Sequence, residues 1–435
     1  MALHLSTVVA RTVSPILTHI SRLSLAFPNH PVVFAISSNA PEHHLSHLFH
    51  ELTTFSSKSI GCLSSPLPGP YSALTACSLA ILDPSHAVPF RSTIPGQPPS
   101  QVGRWHAPQR MKREVVNEMP NVTDWNNVWN TTTGMTRIPG HLEHLDSSTV
   151  SAVVYMTDIS PEGLVRALSS SFPMVPKLGL VASSTPFVTG RPFTLFHNKD
   201  VFGSGAVGIA LTRLPQGSFN TMATFANLTP LSTPMTVTEL VLSSITEESV
   251  FFLTFSLRRG GNMIVSLDHQ NPTQLLLSCL QNAGLSSKSF KDNMQFALGV
   301  INDDQLVQAF NITAGNPSRG AISLQAQQSP PQGATVQFLY RSQVFPTVSH
   351  QNFPFLPYHY SPTSDLSSSS GFFRYIMVDA ELPLSPTETD MDPDSAYILD
   401  GTFLAASDNG FLLSTTPDNS WLCTFPGVSA ALEFI

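Results

Sequence analysis

The stretch Lys177-Leu-Gly-Leu-Val-Ala-Ser-Ser-Thr-Pro-Phe-Val-Thr-Gly-Arg-Pro-Phe-Thr-Leu-Phe-His-Asn-Lys-Asp-Val-Phe-Gly-Ser-Gly-Ala-Val-Gly-Ile-Ala-Leu211 decides how the fold is read. An apolar run ends at Val181, and a small polar loop with Ser183, Ser184 and Thr185 follows. Phe193 to Phe196 then leads to a turn at Asn198-Lys199-Asp200 and a glycine-punctuated strand from Val201 to Leu211. Gly203-x-Gly205-x-x-Gly208 has the spacing of a dinucleotide fingerprint. That fingerprint needs a strand before its glycines and a helix after them, so that the helix N-terminus meets a pyrophosphate. Here the glycines follow a turn and run into Val207-Gly208-Ile209-Ala210-Leu211, an apolar run of strand length. The next acidic residue is Glu239, too far on to hold a ribose. The dinucleotide reading is set aside.

Outward from this stretch, the N-terminal part alternates strands and helices. His4–Val13 reads as a strand. Ser14-Pro15 opens a helix whose apolar residues Ile16, Ile20 and Leu23 have helical spacing. A buried strand at 31–36, a helix from Pro41 and a strand at Ile60-Gly61-Cys62 suggest a parallel βαβ unit. Further strands are expected at 74–82 and 150–156, with a helix over 161–168. Residues 84–148 hold Trp105, Trp125 and Trp129 among Pro, Gly and Asn clusters, and read as a long, partly disordered excursion. In the second half, strands are expected at 237–242, 250–255 and 296–301. Asn271-Pro272 caps a helix through Leu275, Leu276 and Leu280. Pro330-Pro331-Gln332-Gly333 turns a late hairpin. Residues 346–398 are rich in Pro and Ser, and extra strands are expected at 397–404, 410–413 and 421–425. No repeat pattern is read in the chain.

Composition excludes several classes. At 435 residues the chain suits two domains or more. Only 11% of residues are charged, and the formal charge is −8. Lys and Arg occur at most in pairs, which argues against nucleic acid. Cys62, Cys77, Cys279 and Cys423 form no CxxC pair, so a reducing compartment is expected, and no structural zinc. No apolar run is long enough to span a membrane, and no secretory leader is read. The acid-free start with Arg11 and Arg22 has the composition of a mitochondrial transit peptide, against which stands its reading as the first βα unit. The expected location is cytoplasmic, with mitochondrial the alternative.

Three residue sets carry candidate chemistry. Cys62, beside Ser64 and Ser65 at a strand end, is a nucleophile only if His86, His106 or His197 folds next to it; otherwise it is a small buried residue. His43 and His47 lie four apart on one helix, with His44 and His50 adjacent and Glu42 and Glu51 flanking, and His141 and His144 form a second pair. Metal sites need more convergent ligands than this, so no metal and no cofactor are expected. The third set is Ser64, Ser65, Ser183, Ser184, Thr185, Gly203, Ser204 and Gly205: hydroxyls and bare amides that suit a small zwitterion or anion, or else turn chemistry alone. Asp158 and Glu162 are the nearest acids and read as a strand end and a helix N-terminal charge.

Four segments resemble the FIST family. Lys177–Leu211 is similar to its strand, small-residue loop and "Gly-Ala-Val-Gly-x-Ala-Leu" hairpin, and Ser59-Ile60-Gly61-Cys62-Leu63-Ser64-Ser65 to its "Ile-Gly-Cys-Ser" strand end. Leu228–Thr238 is similar to the opening of its C-terminal half, and Arg319–Leu324 with Gly333–Phe338 to its late hairpin. The order is collinear over about residues 3–345. The resemblance implies an α+β fold with two similar-sized FIST-like halves, residues 1–215 and 216–345, each a mixed sheet carrying helices. Residues 346–435 form a linker and a C-terminal β-rich extension. No F-box segment is read, so no ubiquitin-ligase role is carried over. The implied function is a non-enzymatic sensory module binding a small molecule, an amino acid or small anion, at Cys62, Ser64, Ser65, Ser183–Thr185 and Gly203–Gly205. The rivals are a protein-interaction scaffold and a hydrolase using Cys62.

Overall fold

The computed structural model describes residues 2–94, 138–214, 218–225, 228–242, 260–285, 295–316, 320–326, 328–341, 371–379, 395–416 and 419–434. The expected strand at 250–255, Trp105, Trp125 and Trp129 lie outside the described residues. The chain begins with β1 (Ala2–Ala10), α1 (Ser14–Ala26), β2 (Val32–Ser37), α2 (Glu42–Phe55), β3 (Ser59–Ser64) and β4 (Thr75–Leu82). Next come β5 (Ala87–Ser92), β6 (Val150–Thr157), α3 (Glu162–Ser171), β7 (Lys177–Val181), β8 (Leu195–His197), β9 (Asp200–Phe202) and β10 (Ala206–Thr212).

These elements build two sheets with one topology. The first contains the order β1-β4-β2-β3, the second β5-β10-β6-β7. In each, the last strand inserts antiparallel between the first and second, and a helix joins the parallel pair. The sequences agree at matching positions. Val32-Val33-Phe34 stands where the second sheet has Val153-Val154-Tyr155. Phe34 pairs with Gly61, and Tyr155 with Gly179. Each glycine is required by space: a Cβ on Gly61 would lie 2.6 Å from the Phe34 ring, and one on Gly179 would lie 2.5 Å from Cε2 of Tyr155. The chain therefore contains an internal structural repeat that the sequence reading missed.

The sheets stack with helices outside. Strand alternation sends Val32 and Phe34 to the face covered by Ile16, Ile20 and Leu48 of α1 and α2. Tyr155 and Val153 face Leu164 and Leu168 of α3. The opposite faces, with Val33, Ala35 and Cys62 from one sheet and Val154, Met156 and Leu180 from the other, share one core. A third sheet adds Phe373, Tyr375 and Phe403 to that core. It is built from β11 (Phe219–Phe225), β19 (Phe372–Met377), β21 (Thr402–Ser407) and β24 (Val428–Phe434), in the order β11-β24-β19-β21.

Its edge strand β21 is buried, so its free backbone groups need partners. Side chains and backbone of the first sheet supply them. Thr7 Oγ1 donates to Thr402 O at 2.8 Å and accepts from Leu404 N at 2.9 Å. Ser78 Oγ donates to Leu404 O at 2.5 Å, and Ser65 N to Ala406 O at 2.8 Å. Three other late strands extend the first pair of sheets: β20 (Ala396–Asp400) pairs with β1, and β22 (Phe411–Thr416) pairs with β7 and with β23 (Asn419–Cys423).

The remaining strands, β12 (Thr229–Pro230), β13 (Met235–Leu242), β14 (Gly260–Leu267), β15 (Gln295–Asn302), β16 (Gln305–Asn316), β17 (Ala321–Leu324) and β18 (Thr335–Arg341), form a sheet that closes through β15–β18 pairing. Helix α4 (Pro272–Asn282) packs Leu276 and Leu280 on its core, and Asn271 caps it by accepting from Thr273 N and Gln274 N. The barrel is tied to the body by Thr424 N bonding Ala309 O at 3.1 Å and Arg341 Nη1 bonding Pro426 O at 2.9 Å.

The expectation of an α+β fold with two similar mixed-sheet halves is corrected. Among the described residues there are 24 strands in four sheets and only four α-helices. Both sheets that carry two-layer helix packing are founded before residue 215, and the later part is a closed barrel with one helix. The fold is β-rich, because antiparallel neighbours joined by turns replace the helical crossovers that parallel pairing requires.

Candidate functional site

In both repeated units the loop after the second parallel strand is small and polar, because it ends a buried strand and must turn. The two loops meet. Ser65 and Ser183, each four residues beyond its unit's glycine, place their hydroxyl oxygens 2.6 Å apart. Ser183 N also donates to Leu63 O at 3.2 Å. Strands β3 and β7 thus belong to different sheets, yet their carboxyl ends converge, as ligand-binding ends of parallel strands do.

The turn between β21 and β22 completes the cluster. Ser65 Oγ donates to Asp408 Oδ1 at 3.1 Å, so the single hydrogen between the two serines comes from Ser183. Asn409 Nδ2 donates to Asp408 Oδ1 at 3.0 Å, to Ala182 O at 3.0 Å and to Ser184 Oγ at 3.3 Å. Ser407 Oγ donates to Val181 O and accepts from Asn409 N and Gly410 N, which fixes the turn. Ser65 and Ser183 are buried, Asp408 and Asn409 half-buried, and Ser184 exposed. Oδ2 of Asp408 receives no hydrogen bond among the described residues. The arrangement presents a carboxylate oxygen, an amide and a hydroxyl at the surface, braced by two buried serines. Such a surface is chemically suited to a hydrogen-bond donor or a cation. Asp408 and Asn409 went unread in the sequence; Ser407-Asp-Asn-Gly410 between apolar runs reads only as a turn.

The other sequence candidates lie elsewhere. Cys62 points into the core shared by the three sheets, fully buried, and burial pushes its thiol up. No histidine hydrogen-bonds it among the described residues. Ser64 is buried, and its carbonyl accepts from Ser38 N. Thr185 is buried and organises its own loop, bonding Thr194 Oγ1 at 2.7 Å and Arg191 O at 3.1 Å. Gly203, Ser204 and Gly205 carry the chain from β9 to β10, from one sheet to the other. The amide of Gly205, at φ +82°, is taken by Asp158 Oδ2 at 2.6 Å, and Ser204 O accepts from Arg91 Nη2 at 2.6 Å. The position a phosphate would take on such a loop is filled by Asp158. The Gly205 amide is therefore not free for a ligand. The His43 and His44 rings lie with centroids 4.0 Å apart, tilted by 55°, and His47 lies 3.9 Å from Glu51, but no group of three metal-binding side chains exists among the described residues.

Two buried polar features escaped the sequence reading. His4 Nε2, Ser6 Oγ and His19 Nε2 form a chain with two 2.9 Å links under α1. Nδ1 of His19 has no partner among the described residues. Burial, then the neighbouring His4 and Arg22, lowers the His19 pKa to about 4. Lys177, at the start of β7, donates to Phe172 O at 2.6 Å and Val175 O at 2.8 Å, capping the carboxyl end of α3. Burial lowers its pKa to about 8.

No protein-family profile, curated protein or solved structure matches the chain. Among the described residues, no helix is long and apolar enough to cross a membrane.

Proposed function

We propose that the protein is a FIST-like, non-enzymatic binding module whose ligand is a small amine-bearing molecule, an amino acid being the natural case. One observation carries this reading: the free oxygen of Asp408 stands beside Ser184 and Asn409 where the two repeated units meet. A carboxylate there suits an ammonium group, and the Ser184 hydroxyl, which accepts from Asn409, keeps its own hydrogen for a ligand carboxylate. This narrows the expected ligand, because a simple anion would face Asp408. The hydrolase reading loses support, since a buried thiol with a raised pKa is not an available nucleophile. The scaffold reading draws on one feature, Phe187, fully exposed on the loop pinned by Thr185.

The test is thermal denaturation and calorimetry of the full chain with glycine, ethylamine and acetate. Glycine and ethylamine raise the melting temperature by mass action and acetate does not. Asp408→Asn, which keeps the bond from Ser65, abolishes the effect. Equal stabilisation by acetate, no stabilisation by the amines, or amine binding that survives Asp408→Asn overturns the reading.

A further inference from the structure

We propose a second, separate binding site: the groove between α1 and α2 takes a small amphiphilic anion, a carboxylate or phosphate group on a short apolar chain. The groove has a volume of about 640 Å³, within the span of roughly 300–1,000 Å³ usual for small-molecule sites. Its apolar lining comes from Val13, Leu17 and Leu25, and its polar side from Arg22, His44 and His47 with four Ser and Thr hydroxyls of α1 and the turn before it. Leu25 is 84% exposed at the rim, an apolar side chain with little cover on the free surface.

The charges around the groove are one-sided. Helix α1 contains Arg22 and no acidic residue. Helix α2 contributes His44 and His47; its only acids are Glu42 in the first turn and Glu51, which lies 3.9 Å from His47 on the next turn. Neither acid lines the groove. Arg22 carries a fixed positive charge, and the imidazoles donate hydrogen bonds in either protonation state. A headgroup with oxygen acceptors meets Arg22 and the two histidines, while its chain covers Val13, Leu17 and Leu25. An amine headgroup finds no carboxylate among the lining residues and is repelled by Arg22. This chemistry is opposite in sign to that proposed at Asp408, so the two sites sort different ligands.

The experiment uses the full chain with octanoate, octyl phosphate, octylamine and acetate, read by calorimetry and thermal shift. Octanoate and octyl phosphate bind saturably at one site, and the tighter of the two identifies the headgroup. Octylamine and acetate bind at least tenfold more weakly. Arg22→Gln and Leu25→Ser both alter exposed side chains, so the fold is retained. Each weakens the bound anion about tenfold, the size of one lost charge-assisted hydrogen bond or one uncovered apolar contact. Asp408→Asn leaves octanoate affinity unchanged. Failure of both anions to bind, equal binding of octylamine, or affinity indifferent to both groove variants overturns the proposal.

Discussion

Replacing Gly179 by alanine tests the packing rule that the two repeated units share. The added Cβ would lie 2.5 Å from Cε2 and 2.7 Å from Oη of Tyr155, where ordinary contacts begin near 3.4 Å. Cζ would lie closer still, so the ring must retreat by about an ångström or more. It is 3% exposed and packed with Leu164 and Leu168 under α3, so it has no open direction. Overpacking of this kind costs about 1–3 kcal/mol, and the entropy gain of replacing glycine returns up to about 1 kcal/mol. A net loss of about 1–2 kcal/mol is expected by urea denaturation at constant m-value. Gly140→Ala, whose Cβ meets nothing within 4 Å, is the control and is neutral or stabilising by up to about 1 kcal/mol. The two units then part company. Tyr155→Leu removes the obstructing atoms, so Gly179→Ala costs little in that background. In the first unit a Cβ on Gly61 meets the backbone oxygen of Phe34 at 2.5 Å as well as its ring, so Phe34→Leu does not rescue Gly61→Ala. A double-mutant cycle measures the difference as a coupling of about 1 kcal/mol or more in the second unit only. A neutral Gly179→Ala, or equal rescue in both units, refutes the reasoning.

Two further outcomes follow from burial. Cys62 reacts with iodoacetamide at pH 7 only as fast as the native state opens, because its thiol is enclosed and its pKa raised; Cys62→Ser, putting a hydroxyl in the apolar core, destabilises by about 1–3 kcal/mol. Fast labelling of folded protein contradicts this. His19, with its folded pKa lowered from 6.5 to about 4, supplies stability that is fully present above pH 6.5 and is lost as pH falls through 6.5 towards 4. The shift sets a ceiling of roughly 3 kcal/mol, and screening where water reaches the ring leaves about 1–2 kcal/mol. His19→Gln flattens the stability profile between pH 6.5 and 4, and an unchanged slope in that variant rejects the assignment.

What could be read from the sequence was local. The helices at Ser14, Glu42, Glu162 and Pro272 follow from apolar spacing and, for the last, from the Asn271 cap. The parallel unit from Val32 to Ser64 follows from strand, helix, strand order. The meeting of Ser65 with Ser183 is legible in the same way, since both end parallel strands in small polar residues. Long-range closure was not legible. Asp408 meets Ser65 across 343 residues of chain through one side-chain bond, and Thr7 reaches Thr402 of β21 across 395 through a hydroxyl that also accepts from Leu404 N. Nor does any local pattern mark which sheet receives each strand after Phe372, or that β15 returns to β18 to close the barrel.

The glycines show how a spacing misleads when the forces behind it differ. Gly205 is needed for a left-handed turn whose amide Asp158 occupies. Gly208 is needed because a Cβ there would lie 2.5 Å from the Phe90 ring. Gly203 meets only the Arg191 side chain, at ordinary contact distance. Two unrelated requirements and one position that does not need a glycine thus fall into one fingerprint. The informative pattern was the aromatic residue in the middle of one buried strand and the glycine in the middle of the next: Phe34 with Gly61, and Tyr155 with Gly179. Side by side in a parallel pair, the ring of one strand lies over the other, and only hydrogen fits beneath it. Each pair therefore reports a neighbour relation as well as a turn or a strand. Because the pairs recur with Val-Val before the aromatic and serine four residues after the glycine, they also report the repeat. That common spacing brings Ser65 and Ser183 to equivalent strand ends, and so places the Asp408 cluster between two copies of one unit.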